Sequence, residues 1–212
     1  MKLFKATFLI LFFTSTLAFS QIDAKADVLG TVFGLPAIKA EYIINDDLGV
    51  ELSFNFRYGK PILADIDNIK QHGGGFKIEP RFYVYSFEGG DGYYLSLYFR
   101  NQSHYYDIET SGYNVETDED YEYTYTDNHK FSAVGVAMGY KIVFDSGIIM
   151  DYGVGLGRKF SNKYSSTDPK SDFTYFVTGD DEFLHNFDVI GTFGLGYRFD
   201  FGGSDDTDVE EF

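Results

Sequence analysis

The chain has no cysteine and no tryptophan, and beyond its first twenty residues no apolar run long enough for a spanning helix, which needs about 20 residues. Without cysteine there are no disulfides and no lipid-anchoring thiol, so a lipoprotein is excluded and stability must come from strand pairing and the surrounding membrane. Positive charge is also scarce. Lys and Arg number 17 against 33 Asp and Glu, a formal net charge of −16, which argues against binding nucleic acid or anionic lipid by simple charge attraction. Helical periodicity is weak throughout. What the chain has in quantity is Phe (23), Tyr (18) and Gly (23), a profile that fits strands with aromatic ends and small-residue interiors.

At the start, Lys2 and Lys5 precede an apolar stretch (residues 8–13 and 17–19) broken by Thr14, Ser15 and Thr16 and closed by Ala18-Phe19-Ser20. This is the layout of a signal peptide, with cleavage expected after Ser20. Polar Gln21, Asp23, Lys25 and Asp27 follow, without a stop-transfer pattern. The expected organisation is a signal peptide over residues 1–20, one barrel domain over 21–201 and an acidic tail over 202–212.

Alternation with a period of two recurs along most of the chain and marks it as all-β. Near the end, Phe187, Val189, Phe193, Leu195, Tyr197, Phe199 and Phe201 share one face. Asp188, Thr192, Gly194, Gly196, Arg198 and Asp200 share the other. Residues 50–58, 76–84, 93–100, 133–142 and 148–157 have the same two-sided character. Gly34-Leu35-Pro36 is expected to turn residues 28–44 into a hairpin, with a first arm over 28–33. Its second arm sets Ile38, Ala40, Tyr42 and Ile44 against Lys39 and Glu41. The total is eight strands, an even number as in bacterial single-chain barrels. Pro80 lies inside one strand and cannot donate to the ladder, which predicts a bulge or local break there.

The connections alternate in length. Asn45-Asp46-Asp47, residues 88–92 and Asp145-Ser146-Gly147 are short turn signals, whereas residues 60–73, 107–128 and 163–184 are long and polar. Short periplasmic turns paired with longer extracellular loops characterise outer-membrane barrels. The expected fold is therefore an eight-stranded antiparallel transmembrane β-barrel. A soluble lipocalin-like barrel also alternates, with its apolar side inward. Against it stands the polar face, which combines glycines with charges of both signs: Lys39, Glu41, Glu51, Arg57, Lys77, Glu79, Arg81, Arg100, Lys141, Asp151, Asp188 and Arg198. These residues are expected to interlock as ion pairs inside a narrow lumen.

The segment Gly194-Leu195-Gly196-Tyr197-Arg198-Phe199-Asp200-Phe201 resembles the terminal signal read by the barrel-assembly machinery. It departs from that signal in being followed by residues 202–212, rich in Asp and Glu, rather than by the chain end. The stretch from Gly34-Leu35-Pro36 through Ala40-Glu41-Tyr42 to Leu48-Gly49-Val50 is similar to the opening hairpins of uncharacterised Bacteroidota barrels. Over the mature chain the layout resembles the small eight-stranded outer-membrane barrel superfamily that includes OmpA and OmpX. The resemblance implies a fold and a cell outer-membrane location. It only loosely implies an activity, since members serve as adhesins, structural proteins, minor channels and, occasionally, lipid A enzymes.

The four histidines, His72, His104, His129 and His185, map to loops or to extracellular strand ends. Ser103-His104 lacks the His-x-Ser order of the lipid A deacylases, so these histidines read as solvated rim residues and no catalytic residue is expected. Residues 107–128 contain eight acids (Asp107, Glu109, Glu116, Asp118, Glu119, Asp120, Glu122 and Asp127) and no Lys or Arg. Close spacing of Asp118, Glu119, Asp120 and Glu122 suggests divalent cations, but there is no EF-hand spacing and charge runs are usually solvated. Tyr121, Tyr123 and Tyr125 alternate within this loop, as in a hairpin projecting above the membrane. No cofactor-binding or metal site is expected. The function expected is a non-enzymatic structural or surface-interaction barrel, with lumen closed by charged side chains. A small ion or solute channel, a lipid A-modifying enzyme and a soluble lipocalin-like binding barrel are the alternatives. Expected partners are outer-membrane lipid and lipopolysaccharide, the assembly machinery and an unidentified extracellular partner, with no nucleic acid.

Overall fold

The computed structural model describes residues 21–32, 34–59, 69–84, 86, 89–114, 119–168 and 185–200. Eight strands follow one another around a closed ring: β1 (Gln21–Asp27), β2 (Ala37–Asn45), β3 (Leu48–Gly59), β4 (Ile69–Val84), β5 (Gly92–Asn114), β6 (Glu119–Val143), β7 (Ile148–Ser166) and β8 (Phe187–Asp200). Every neighbouring pair is antiparallel, and β1 closes the ring on β8 from Gln21↔Asp200 to Asp27↔Gly194. A short helix, α1 (Val28–Val32), follows β1.

Along the belt the strands turn most of their apolar residues out and most of their charged residues in, the inverse of a soluble barrel. Leu97, Met138 and Val154 are 56%, 59% and 63% exposed, while Glu41, Glu51, Arg81 and Asp151 are at 0%. Outward aromatics gather at two heights, as interfacial girdles do. Tyr93, Tyr140 and Tyr152 stand side by side near the turn end, with ring centroids 4.5 and 5.8 Å apart. Phe76, Phe99 and Phe160 form a second row near the loop end, at 5.8 and 6.2 Å. On β5 the apolar belt ends at Phe99, because the next outward residues are Asn101 and Ser103.

The hairpin expected at residues 28–44 is corrected in its first arm. Residues 28–32 are helical, and the first strand is Gln21–Asp27, whose Ile22, Ala24 and Ala26 alternate with inward Asp23, Lys25 and Asp27. The chain leaves the strand at Asp27 because that carboxylate caps the next turn, accepting the Gly30 N–H at 2.8 Å, as an Asp before a helix does. Gly34, with φ of 73°, makes the turn out of the helix.

Pro80 keeps the register of β3 and β4, pairing with Val50, but pairing of β4 with β5 lapses between Ile78↔Phe99 and Arg81↔Ser96. The expected local break is thus confined to one side and shifts no register. The expected long loops are partly strand. Residues 107–114 and 119–128 continue the β5–β6 ladder out to Asn114↔Glu119, so the tyrosine-bearing hairpin does project beyond the barrel. Residues 69–73 and 163–166 likewise extend β4 and β7.

Two inward tyrosines lie flat against the inner wall, over glycines. A Cβ at Gly139 would collide with the Tyr94 ring, and one at Gly135 would sit 2.6 Å from the Tyr98 ring. Across the ladder, Gly153 and Gly157 clear the two hydroxyls. The polar-face glycines therefore make space for rings that fill the lumen.

Candidate functional site: a charged lumen plug beneath an aromatic vestibule

Among the described residues, the strand alternation brings five cations and five acids inside the belt into one connected cluster of ion pairs, with two further pairs, Lys39–Asp27 and Arg100–Asp188, on its loop-end side. Its centre is Arg81 of β4. That guanidinium reaches Asp151 at 2.7 Å, Glu51 at 2.9 Å, and Glu41 and Glu79 at 3.2 Å. It also stacks over the Tyr94 ring, 4.3 Å from the centroid. Lys25 stands beside it, with Nζ 2.8 Å from Glu41, 2.8 Å from Glu51 and 2.5 Å from Asp151. Oxygens of those three carboxylates lie within 4.8 Å of one another, the arrangement of a metal cage. Here the Lys25 ammonium and the Arg81 guanidinium supply the positive charge that such a cage requires.

Toward the turn end Lys141 bridges Asp23 and Glu41 at 2.7 and 3.0 Å. Arg198 holds Asp23 at 2.8 Å and donates to the carbonyls of Gly89 and Gly90 at 2.9 and 3.2 Å. The β4–β5 turn is thereby tied across this mouth. Toward the loop end Lys77 pairs with Glu79, Lys39 with Asp27 at 2.6 Å, and Arg100 with Asp188 at 2.9 Å. Tyr83, Tyr94, Ser96 and Tyr98 donate hydroxyls to Glu41, Asp151, Glu79 and Asp188. Burying so many charges is tolerable only because each finds partners of opposite sign, and most of them further hydrogen bonds.

All twelve lumen residues expected from the sequence face inward, and eleven of them take part in these ion pairs. Arg57 instead donates to the Tyr106 hydroxyl at 2.7 Å, in the vestibule above. Asp23, Lys25 and Asp27 escape the sequence reading because they fall in the polar stretch after the expected signal peptide. Their signal was present: Ile22, Ala24 and Ala26 alternate with them over six residues.

Above the belt, three of the four histidines share one aromatic vestibule. His129 stacks on Tyr164 at 4.3 Å with its Nε2 2.8 Å from Asn162 Oδ1, and Tyr164 stacks on His185 at 5.6 Å. His104 meets His129 edge to face at 6.2 Å. Ile69, Tyr106 and Ile108 form a buried cluster with Tyr125 and Tyr164, and Tyr106 meets His104 edge to face at 6.4 Å. His72 is on the outer face, stacked on Tyr105 at 5.0 Å. The expectation of solvated rim histidines is therefore corrected for His104 and His129, which are buried in this vestibule. Ser103 and His104 occupy opposite faces of β5, because adjacent strand residues alternate, so they form no dyad. Of the acids suggested for cation binding, Asp120 and Glu122 are exposed on β6. Asp118 and the Glu119 side chain lie outside the described residues.

Burial pushes the His104 imidazole down to about 2, helped by Arg57, and that of His129 down to about 4. Both are neutral at pH 7. As pH falls below the ordinary histidine value of about 6.5, the unfolded extension takes up protons that the folded one refuses. Stability of the vestibule is thus constant above that value and is lost as pH falls toward 4. Imidazole resonances of His104 and His129, followed by NMR, should stay fixed between pH 8 and 5. A titration near 6.5 would show them hydrated.

The sequence profile of a family described as "Protein of unknown function (DUF3575)" matches residues 5–177. The chain belongs to this family. No curated protein matches it. Among solved structures, the DUF3575 chain is similar to CarO of Acinetobacter baumannii, at TM-score 0.50 and 11% identity over 84% of this chain and 97% of that one. It is also similar to a major outer membrane protein of Thermus thermophilus, at TM-score 0.42 and 13% identity over 85% and 98%. The N-terminal β-barrel domain of OprF from Pseudomonas aeruginosa follows at TM-score 0.34 and 14% identity, over 86% and 98%. At such identities the likeness is one of fold, that of the small eight-stranded outer-membrane barrels.

Proposed function

We propose that this DUF3575 protein is a non-enzymatic barrel of the bacterial outer membrane. Residues 1–20 direct its export, β8 is read by the assembly machinery, and the acidic, tyrosine-bearing β5–β6 hairpin is displayed outside for a structural or surface-interaction role. Residues 202–212 form its acidic periplasmic tail. One observation carries the reading: the lumen is filled at mid-height by the Arg81 network while the outer surface is apolar. An eight-stranded barrel has an interior that side chains can fill, and here they fill it.

Planar bilayers containing the purified protein should show no discrete conductance. Conductance steps that change on replacing Arg100 or Glu79 would overturn the closed lumen and make the protein a small channel. Overexpression should leave the mass of lipid A unchanged, and a new lipid A species would overturn the non-enzymatic reading.

A further inference from the structure

The barrel wall is uneven in height. β1 stops at Asp27, opposite Gly194, whereas β8 runs seven residues farther toward the loop end, to Phe187. β2 begins at Ala37, opposite Asn55, whereas β3 continues to Gly59. Between the upper parts of β8 and β3 the wall is therefore formed by the β1–β2 connection instead of by paired strands. α1 leans on β8, with Leu29 3.5 Å from where a Cβ would stand on Gly191. The Pro36 carbonyl accepts the Phe56 N–H at 3.0 Å.

A cavity of about 330 Å³ lies at this segment, within the range of small-ligand pockets of roughly 300–1,000 Å³. Its lining is of two kinds. Leu29, Leu35, Val189 and Ile190 are apolar and belong to the connection and upper β8, whereas Lys39, Lys77 and Arg100 rise from the lumen floor, with Asp27 beside Lys39. Each of these cations is paired, Lys39 with Asp27, Lys77 with Glu79 and Arg100 with Asp188, but Glu79 and Asp188 are not part of the lining, so the ionic groups that face the cavity are three cationic donors and one carboxylate. Leu29, Gly191 and Thr192 also border an apolar groove on the outer surface, beside Tyr152 and Val154. A cationic floor, an apolar side and an apolar exit toward lipid match a molecule with one charged end and one chain.

We propose that this cavity is a lateral site for a single-chain anionic amphiphile. Its head accepts hydrogen bonds from Lys39, Lys77 and Arg100, and its chain leaves between α1 and β8 into the membrane. The site sits above the Arg81 plug, so it requires no open pore and is compatible with a silent barrel.

The test uses the full chain in phosphatidylcholine nanodiscs and a laurate analogue carrying a diazirine on its chain, with crosslinks mapped by mass spectrometry. Labelling should saturate and concentrate on α1, residues 35–37 and residues 187–193. Laurate or dodecyl phosphate should compete at least tenfold better than lauryl alcohol, and the stronger of the two anions identifies the head group as carboxylate or phosphate. Ala37→Phe, which fills the cavity without changing charge, should reduce labelling at least tenfold, and so should the charge-matched pair R100Q/D188N. Heat-modifiable gel migration checks that each variant is folded. Labelling spread evenly around the belt and indifferent to both variants would overturn the site, as would lauryl alcohol competing equally. Neither result would bear on the closed lumen, which bilayer recording tests separately.

Discussion

Arg81→Met is expected to destabilise the folded barrel strongly. The side chain is wholly buried and contacts four carboxylates, on β2, β3, β7 and its own strand. Removing one partner of a buried ion pair costs about 3–5 kcal/mol, because the remaining charge stays desolvated and uncompensated. Here four acids lose a partner at once, which places the loss at about 5 kcal/mol. Adding Glu51→Gln restores the equality of cations and acids and should recover about 2 kcal/mol, a gain expected only if net charge causes the defect. Urea unfolding in detergent micelles, scored by migration of unheated samples on gels, measures both. An Arg81→Met protein with an unchanged midpoint would show that the network carries no stability.

The second large effect is expected at Gly139. Its Cβ position is occupied by the Tyr94 ring, which in turn donates to Asp151 at 3.0 Å. Gly139→Val must displace that ring, break its hydrogen bond and strain the β6 backbone, at a cost of about 3 kcal/mol for overpacking with loss of a buried partner. Tyr94→Ala in the same chain should recover part of the loss by vacating the space. Gly191→Ala is the control: its Cβ would meet only Leu29 at an ordinary 3.5 Å, and no change in midpoint is expected. Equal effects at the two glycines would mean that the ring-over-glycine packing is not what glycine serves in this barrel.

The barrel's strands were legible because period-two alternation is a direct print of a wall with unlike sides. Residues 50–58 and 148–157 kept every expected face, and Pro80 broke pairing where a missing donor must. The first strand escaped because it is short and follows residues 1–20, whose sequence reads as an export signal, so its charged residues read as a polar leader. Asp27 then hides the strand end by acting as a helix cap. The individual lumen residues were legible by face, but not their partners. Arg81 and Asp151 are joined across 70 positions in sequence, and only the closed ring and its register bring them together. Burial of His104 and His129 was not legible at all. It depends on how far the β5, β6 and β7 extensions pair above the belt and on a hydrophobic cluster of Ile69, Tyr106 and Tyr164, contributed by three separate strands.

The central claim is that the apolar face of this wall meets lipid and its charged face is sealed inside. Having no cysteine, the chain accepts single spin labels at chosen positions without background. Labels at Leu52, Leu97 and Val154, all outward, and at Ser53 and Ser96, both inward, would be read in liposomes by collision with oxygen, which concentrates in lipid, and with a water-soluble nickel chelate. Outward labels should collide with oxygen and not with nickel, and inward labels weakly with both. Nickel collisions at Leu52, Leu97 and Val154 would contradict the account, because the apolar face would then be in water.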